Sequence, residues 1–206
     1  MNEYLKPEEI EKRSMEIIAS ELEQPLDPLL APIIMRVIHT TADFSYANTL
    51  EFSEGVIDIA FKALHQGVTL VSDTTMVKAG VDKTRLLALG SSIECFISDA
   101  DVALTARNEG LTRSRIAIDK AANLGKPIIF VIGNAPTALQ RICELNEAGL
   151  YKPELVIAVP VGFVNVVEAK ERLIRSGIPY IVSRGRKGGS NVAAAIFNAL
   201  LRMALA

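Results

Sequence analysis

The sequence predicts an α/β protein: a three-layer αβα sandwich around a mostly parallel, Rossmann-like sheet of about five strands, preceded by a helical segment. Three observations carry this expectation. Half of the 206 residues are hydrophobic, which suits a sheet buried on both faces and not a disordered chain. The first third places apolar residues at helical spacing. From Val68 onward, short apolar runs alternate with longer amphipathic segments, as repeated βαβ units do. The length suits one domain over 1–206, with a helical part at 1–66 and a βαβ part at 67–206.

Pro7 opens the first expected helix, and Ile10, Ser14, Ile17, Ile18 and Glu21 follow at helical spacing, so that Ser14 shares the apolar face. A second helix starts near Asp27-Pro28, where Asp can cap and Pro is tolerated in the first turn. It carries Leu29, Ile33, Val37 and Ile38 and ends around His39-Thr40-Thr41. A third, over 53–65, closes at Gly67. Strands are expected at 68–71, 93–97, 128–132, 155–159 and 180–182, with helices near 82–89, 99–107, 112–124, 136–148, 165–176 and 190–204. Right-handed crossovers put helices on both faces and ligands outside the carboxyl ends of the strands. Those ends read Ser72-Asp73, Ser98-Asp99, Gly133-Asn134, Pro160-Val161-Gly162 and Ser183-Arg184-Gly185.

Several function classes are disfavoured. The net charge is −2 with no long basic block, which argues against nucleic acid as a partner. No apolar run reaches the roughly 20 residues of a membrane span. The segment from Met1 to Lys12 is acidic and polar, unlike a secretion signal, so a cytoplasmic location is expected. Cys95 and Cys143 show no metal-ligand spacing and read as small core hydrophobes. The P-loop and Gly-x-Gly-x-x-Gly patterns are absent, which disfavours a nucleotide-binding oxidoreductase. Neither a Ser-His-Asp ordering nor His-x3-His occurs, which weakens hydrolase and metalloenzyme readings.

The most unusual segment is Arg36-Val-Ile-His39-Thr40-Thr41-Ala-Asp43-Phe44. Arg36 and His39 are three apart and share a helix face. A histidine at a helix C-terminus meets the negative end of the dipole, which suits a proton donor; the plainer alternative is that His39 caps the helix and Asp43 turns the chain. His65 reads as a helix-end residue without chemistry. Gly133-Asn134-Ala-Pro-Thr137 follows a strand and opens a helix, so it is either an anion-binding terminus or an ordinary cap. Arg184-Gly-Arg186-Lys-Gly-Gly-Ser-Asn191 combines three cations with three glycines and reads as an anion loop or a solvated basic turn. Arg113-Ser114-Arg115 could fork onto carboxylates or pair along a helix surface. The residues by themselves therefore point to a cofactor-free acid/base site lined with anion binders.

In order and approximate spacing, the His39 segment, Ser72-Asp-Thr-Thr-Met76-Val-Lys-Ala-Gly80, Gly133-Asn-Ala-Pro-Thr137-Ala-Leu and Pro160-Val-Gly-Phe-Val-Asn165 resemble the precorrin-8X methylmutase family, cobalt-precorrin-8 members included. The similarity runs from the Glu11-Lys-Arg-Ser14 helix to the Gly-Gly-Ser-Asn191 loop. It implies a homodimeric isomerase that moves the methyl at C-11 of a corrin-type tetrapyrrole to C-12, giving hydrogenobyrinic or cobyrinic acid. It also implies that His39 donates and accepts the proton, and that Ser14 and Arg36 match substrate-contacting positions. The many carboxylates of such a substrate would explain Thr40, Thr41, Arg113, Arg115, Asn134, Arg184 and Arg186 as further binding candidates. No metal or organic cofactor is expected, and any cobalt would arrive inside the substrate. The competing reading is a non-catalytic carrier of a tetrapyrrole or another polyanion, which needs the arginines but not His39.

Overall fold

Strict alternation along the central strands decides the architecture. The computed structural model describes residues 6–206; residues 1–5 of the acidic N-terminal segment lie outside it. The chain runs α1 (Pro7–Glu21), α2 (Ala31–Thr41), α3 (Tyr46–Thr49), β1 (Leu50–Phe52), α4 (Val56–His65) and β2 (Thr69–Ser72). It continues through α5 (Thr75–Gly80), α6 (Lys83–Ala88), β3 (Ser92–Glu94), α7 (Ala100–Glu109), α8 (Arg113–Ala122) and β4 (Ile128–Ile132). The last elements are α9 (Pro136–Glu147), β5 (Leu155–Ala158), α10 (Val166–Ile174), β6 (Tyr180–Ser183) and α11 (Ser190–Ala204).

The sheet order is β1-β6-β5-β4-β2-β3, parallel throughout except for β1, which pairs antiparallel with β6. Ile129 and Val131 of β4 and Leu155 and Ile157 of β5 join one core with α2, α4 and α11. Ile128, Phe130, Ile132, Val156 and Ala158 point the other way, into a second core with α8, α9 and α10. Each large apolar side chain so buried contributes about 1.5–3 kcal/mol, and a one-residue slip would reverse the faces of a whole strand. The α11 helix is apolar nearly all round because it lies between the sheet and α2, with Val192, Ile196, Phe197 and Leu200 fully buried. The strand order reverses between β2 and β4, which makes their carboxyl ends the topological switch point.

The three-layer, mostly parallel arrangement agrees with expectation, and the departures are local. A sixth strand, β1, falls in the part read as wholly helical. It is only three residues long and pairs at an edge, so it leaves no alternation to read. The apolar stripe of α1 is Met15, Ile18 and Leu22, whereas Ile10 and Ile17 stay 51% and 48% exposed, because α1 covers α2 with one narrow face only. The second helix begins at Ala31, since the Asp27 carboxylate accepts Leu29 N–H at 2.8 Å and holds a turn ahead of it. The third begins at Val56, after Gly55 in the left-handed region. The short α5 was not expected; Thr74 caps it by accepting Val77 N–H at 3.2 Å. Cys143 is a core residue whose thiol burial pushes up to about 11, whereas Cys95 is only half-buried. Among the described residues no helix is long and apolar enough to cross a membrane.

Candidate active site

The C-terminus of α2 gathers the first group of candidate residues. The helix stops because Ala42 turns into the left-handed region (φ 53°), where its N–H still reaches Ile38 O at 2.7 Å. The Thr40 and Thr41 hydroxyls donate to Arg36 O (2.9 Å) and Val37 O (2.8 Å), so their protons are engaged, and Thr41 Oγ1 also accepts Asp43 N–H at 3.3 Å. His39 is exposed one turn beyond Arg36, and Nδ1 lies 3.5 Å from Arg36 Nη1, at the long limit of a hydrogen bond. A guanidinium can only donate, so Nδ1 is the acceptor and, in the neutral ring, Nε2 carries the proton. Arg36 is itself aimed by Glu11 of α1, which accepts its Nη2 at 2.5 Å and Arg202 Nη1 at 2.8 Å. Those two hydrogen bonds hold the Glu11 carboxyl down at about 2. Ser14 sits three residues past Glu11, on the same face of α1, with its hydroxyl donated to Ile10 O at 2.8 Å.

Behind His39 the chain is tied to the basic loop before α11. Lys187 Nζ reaches Asp43 Oδ2 at 2.6 Å and Ser45 Oγ at 2.9 Å, and the Lys187 bond keeps the Asp43 carboxyl below its usual range. The loop packs on the end of β5: Gly189 N–H donates to Val159 O (2.8 Å) and Gly162 N–H to Arg186 O (3.1 Å). A Cβ on Gly188 would overlap the Val159 carbonyl, so glycine is required there for backbone contact. Arg186 lies 5.5 Å over the ring of Phe163, which is 81% exposed.

A second group lines a crevice of about 290 Å³ at the switch point, with Asp73, Thr74, Arg113, Ser114 and Asn134 in its wall. Of the two readings of Gly133–Thr137, an anion-binding terminus or a cap by its own side chains, neither describes the amides as they stand: they are held by Asp73. The buried Asp73 carboxylate accepts Gly133 N–H (2.9 Å), Asn134 N–H (2.8 Å) and Ala135 N–H (2.7 Å), so the amides at the start of α9 already hold an anion, the protein's own. Burial pushes the Asp73 carboxyl up against the pull of those amides. Thr74 and Ser190 hydroxyls share a hydrogen bond of 2.9 Å, linking the crevice to the start of α11. His39 is not in the crevice wall.

Besides Arg36 with Glu11, two candidate arginines have internal carboxylate partners. Arg115 pairs with Glu144 at 2.6 Å, and Arg184 bridges Glu51 and Glu171, the latter at 2.6 Å. His65 bonds Phe61 O at 2.8 Å, as a helix-end residue does. Sequence reasoning missed the roles of Glu11, Lys187 and Lys170. Lys170 left a signal: it shares the buried face of α10 with Val166, Ala169 and Leu173, a lysine at an apolar position.

A model of the precorrin-8X methylmutase family matches residues 9–203. The chain belongs to the precorrin-8X methylmutase family. It is 43% identical to a cobalt-precorrin-8 methylmutase of Salmonella typhimurium, with 98% of this chain and 97% of that protein covered. It is 40% identical to a precorrin-8X methylmutase of Pseudomonas aeruginosa, with 83% of each covered. A solved precorrin-8X methylmutase from Thermus thermophilus superposes with a TM-score of 0.88 at 36% identity over 96% of both chains. As a methylmutase the protein is an enzyme, an isomerase of cobalamin biosynthesis that shifts a methyl group within its substrate, and the carrier reading falls.

Proposed function

We propose that this methylmutase moves the C-11 methyl of precorrin-8X or cobalt-precorrin-8 to C-12, with His39 delivering and recovering the one proton the rearrangement needs. The observation that supports the reading is the place of His39, exposed at the C-terminus of α2 one turn beyond Arg36, where its ring can exchange a proton with a substrate lying over that helix end. Protonation of the conjugated macrocycle draws electron density from the C-11–methyl bond. That bond breaks as the C-12–methyl bond forms, and a proton lost from the ring returns to His39. Atoms and electrons balance within the substrate, so the step calls for no electron carrier; cobalt, where present, is substrate.

Arg36, Arg113 and Arg186 are the arginines we assign to the substrate's carboxylates, with Ser14, Thr40, Thr41 and Asn134 as polar contacts. Arg36 engages Glu11 through Nη2 alone, whereas Arg115 and Arg184 each use two nitrogens on their carboxylate partners and would have to leave them to join the site. The enzyme acts as a homodimer whose second subunit completes the cleft. A 290 Å³ crevice is at the lower limit for ligand pockets of about 300–1,000 Å³ and too small for a tetrapyrrole, and the His39 group lies outside it. The free cysteines fit the reducing cytoplasm to which we assign the enzyme.

The test is incubation with each of the two substrates while following the visible absorption, which shifts as conjugation extends through the migrated-methyl product. Turnover of either supports the proposal; a chain that changes neither spectrum sinks it. Light scattering under the same conditions is expected to give a dimer, and a fully active monomer would refute the shared cleft.

A further inference from the structure

Lys170 is a buried ammonium with no carboxylate partner among the described residues. It is 1% exposed, on the inner face of α10. Its Nζ lies 2.8 Å from Gly185 O, 2.9 Å from Lys187 O and 3.2 Å from Ser183 Oγ. The Ser183 hydroxyl donates its own proton to Lys187 O at 2.7 Å, so toward Lys170 it can only accept. Three acceptors around one nitrogen require three N–H groups, which an ammonium has and a neutral amine does not. Desolvation draws the group down to about 8 without removing that requirement. An apolar side chain would fill this space without burying a charge, so a lysine here answers a need of the loop it bonds.

The loop is the one that carries Arg186, a cation with no carboxylate partner among the described residues, and Lys187, which pairs with Asp43. The two carbonyls held by Lys170, at Gly185 and Lys187, flank Arg186, and Gly162 N–H fixes the Arg186 carbonyl from the other side. With the backbone pinned at these points, the Arg186 guanidinium lies over Phe163, and Lys187 reaches the Asp43 turn that follows His39. Phe163 and Val164 are 81% and 75% exposed beside that cation, at the carboxyl end of β5. An apolar face next to a guanidinium matches a flat ring that bears carboxylate arms.

We propose that Lys170 is a positioning residue, which holds the 184–189 loop in the form that presents Arg186 and Phe163 to the substrate ring and its carboxylates. The proposal rests on the function assigned above. Its test is a spectral titration with hydrogenobyrinic acid and cobyrinic acid on the full-length protein, comparing wild type, Lys170→Met, Arg186→Ala and the double variant well below their melting temperatures. Lys170→Met and Arg186→Ala are each expected to weaken product binding about tenfold, the scale of one charge-assisted contact. The double variant is expected to bind no worse than about twofold below the weaker single, because one residue acts through the other. In turnover, KM should rise more than kcat falls. A Lys170→Met protein that melts earlier yet binds product like wild type overturns the positioning role, as do defects that simply multiply. Should Lys170→Met fail to fold, Ser183→Ala breaks the same relay more gently, and unchanged product binding by that variant overturns the proposal. Wild type that binds neither corrin sinks the proposed function and this inference together, whereas wild-type binding with an unaffected Lys170→Met removes the inference alone.

Discussion

Replacing His39 with alanine separates binding from chemistry. The side chain is exposed and its one polar contact among the described residues is Arg36 Nη1 at 3.5 Å, while Arg36 keeps Glu11 at 2.5 Å. Loss of an exposed side chain with one weak contact costs within about 0.5 kcal/mol of stability. The arginines assigned to the substrate remain, so the variant is expected to stay folded and to titrate with product within a few-fold of wild type. Turnover is another matter: removing a general acid lowers rates by about 10²–10⁴-fold, which corresponds to about 3–5 kcal/mol of barrier. No other histidine can substitute, since His65 is bonded to Phe61 O at the end of α4. Single-turnover absorption changes on wild type, His39→Ala and the matched control His65→Ala give the answer. His39→Ala converting substrate at close to the wild-type rate would refute the assignment, and a loss shared equally by His65→Ala would point to something other than proton transfer.

The remaining predictions concern the groups that aim the site. Glu11→Gln should lower the melting temperature at pH 7 by an amount worth under about 1 kcal/mol, because the carboxylate is 41% exposed and screened. The Glu11 folded value is depressed, from 4.5 to about 2, so its stabilisation is fully present above pH 4.5 and lost as pH falls toward 2; melting curves of variant and wild type should converge over that window. Asp73→Asn keeps one acceptor oxygen for Asn134 and Ala135 and turns an amide donor against the Gly133 N–H, and denaturant unfolding should record a loss of about 1–3 kcal/mol for the donor left unpaired. Wild-type stability in that variant would show that the amides find other partners. Arg113→Ala should weaken product binding, with added salt mimicking the defect, whereas Arg184→Ala should chiefly affect the Glu51 and Glu171 contacts and leave binding near normal at low ionic strength. Equal titration curves for Arg113→Ala and wild type would remove Arg113 from the substrate's carboxylate partners.

What the sequence by itself determined was whatever depends on near neighbours along the chain. The unbroken apolar runs at 128–132 and 155–158 specify strands buried on both faces, and the three-residue spacing of Arg36 and His39 puts them on one side of α2. Both are local consequences of backbone period, and both were legible without any partner. The pairing of distant groups was not. The Leu50–Phe52 segment becomes a strand only because β6, some 130 residues later, offers it an edge. The amides at 133–135 look like an anion site until Asp73, 60 residues earlier, is folded onto them. Arg184 reads as a free cation until Glu51, 133 residues away, is beside it, and the lysine at an apolar position of α10 finds its acceptors only when the 184–189 loop closes over it. Each such contact forms only after the sheet has brought the segments together, and its free energy depends on burial and on which polar groups the approaching backbone leaves unpaired. Only the tertiary structure, then, could decide which of the sequence's many cations are left for a ligand.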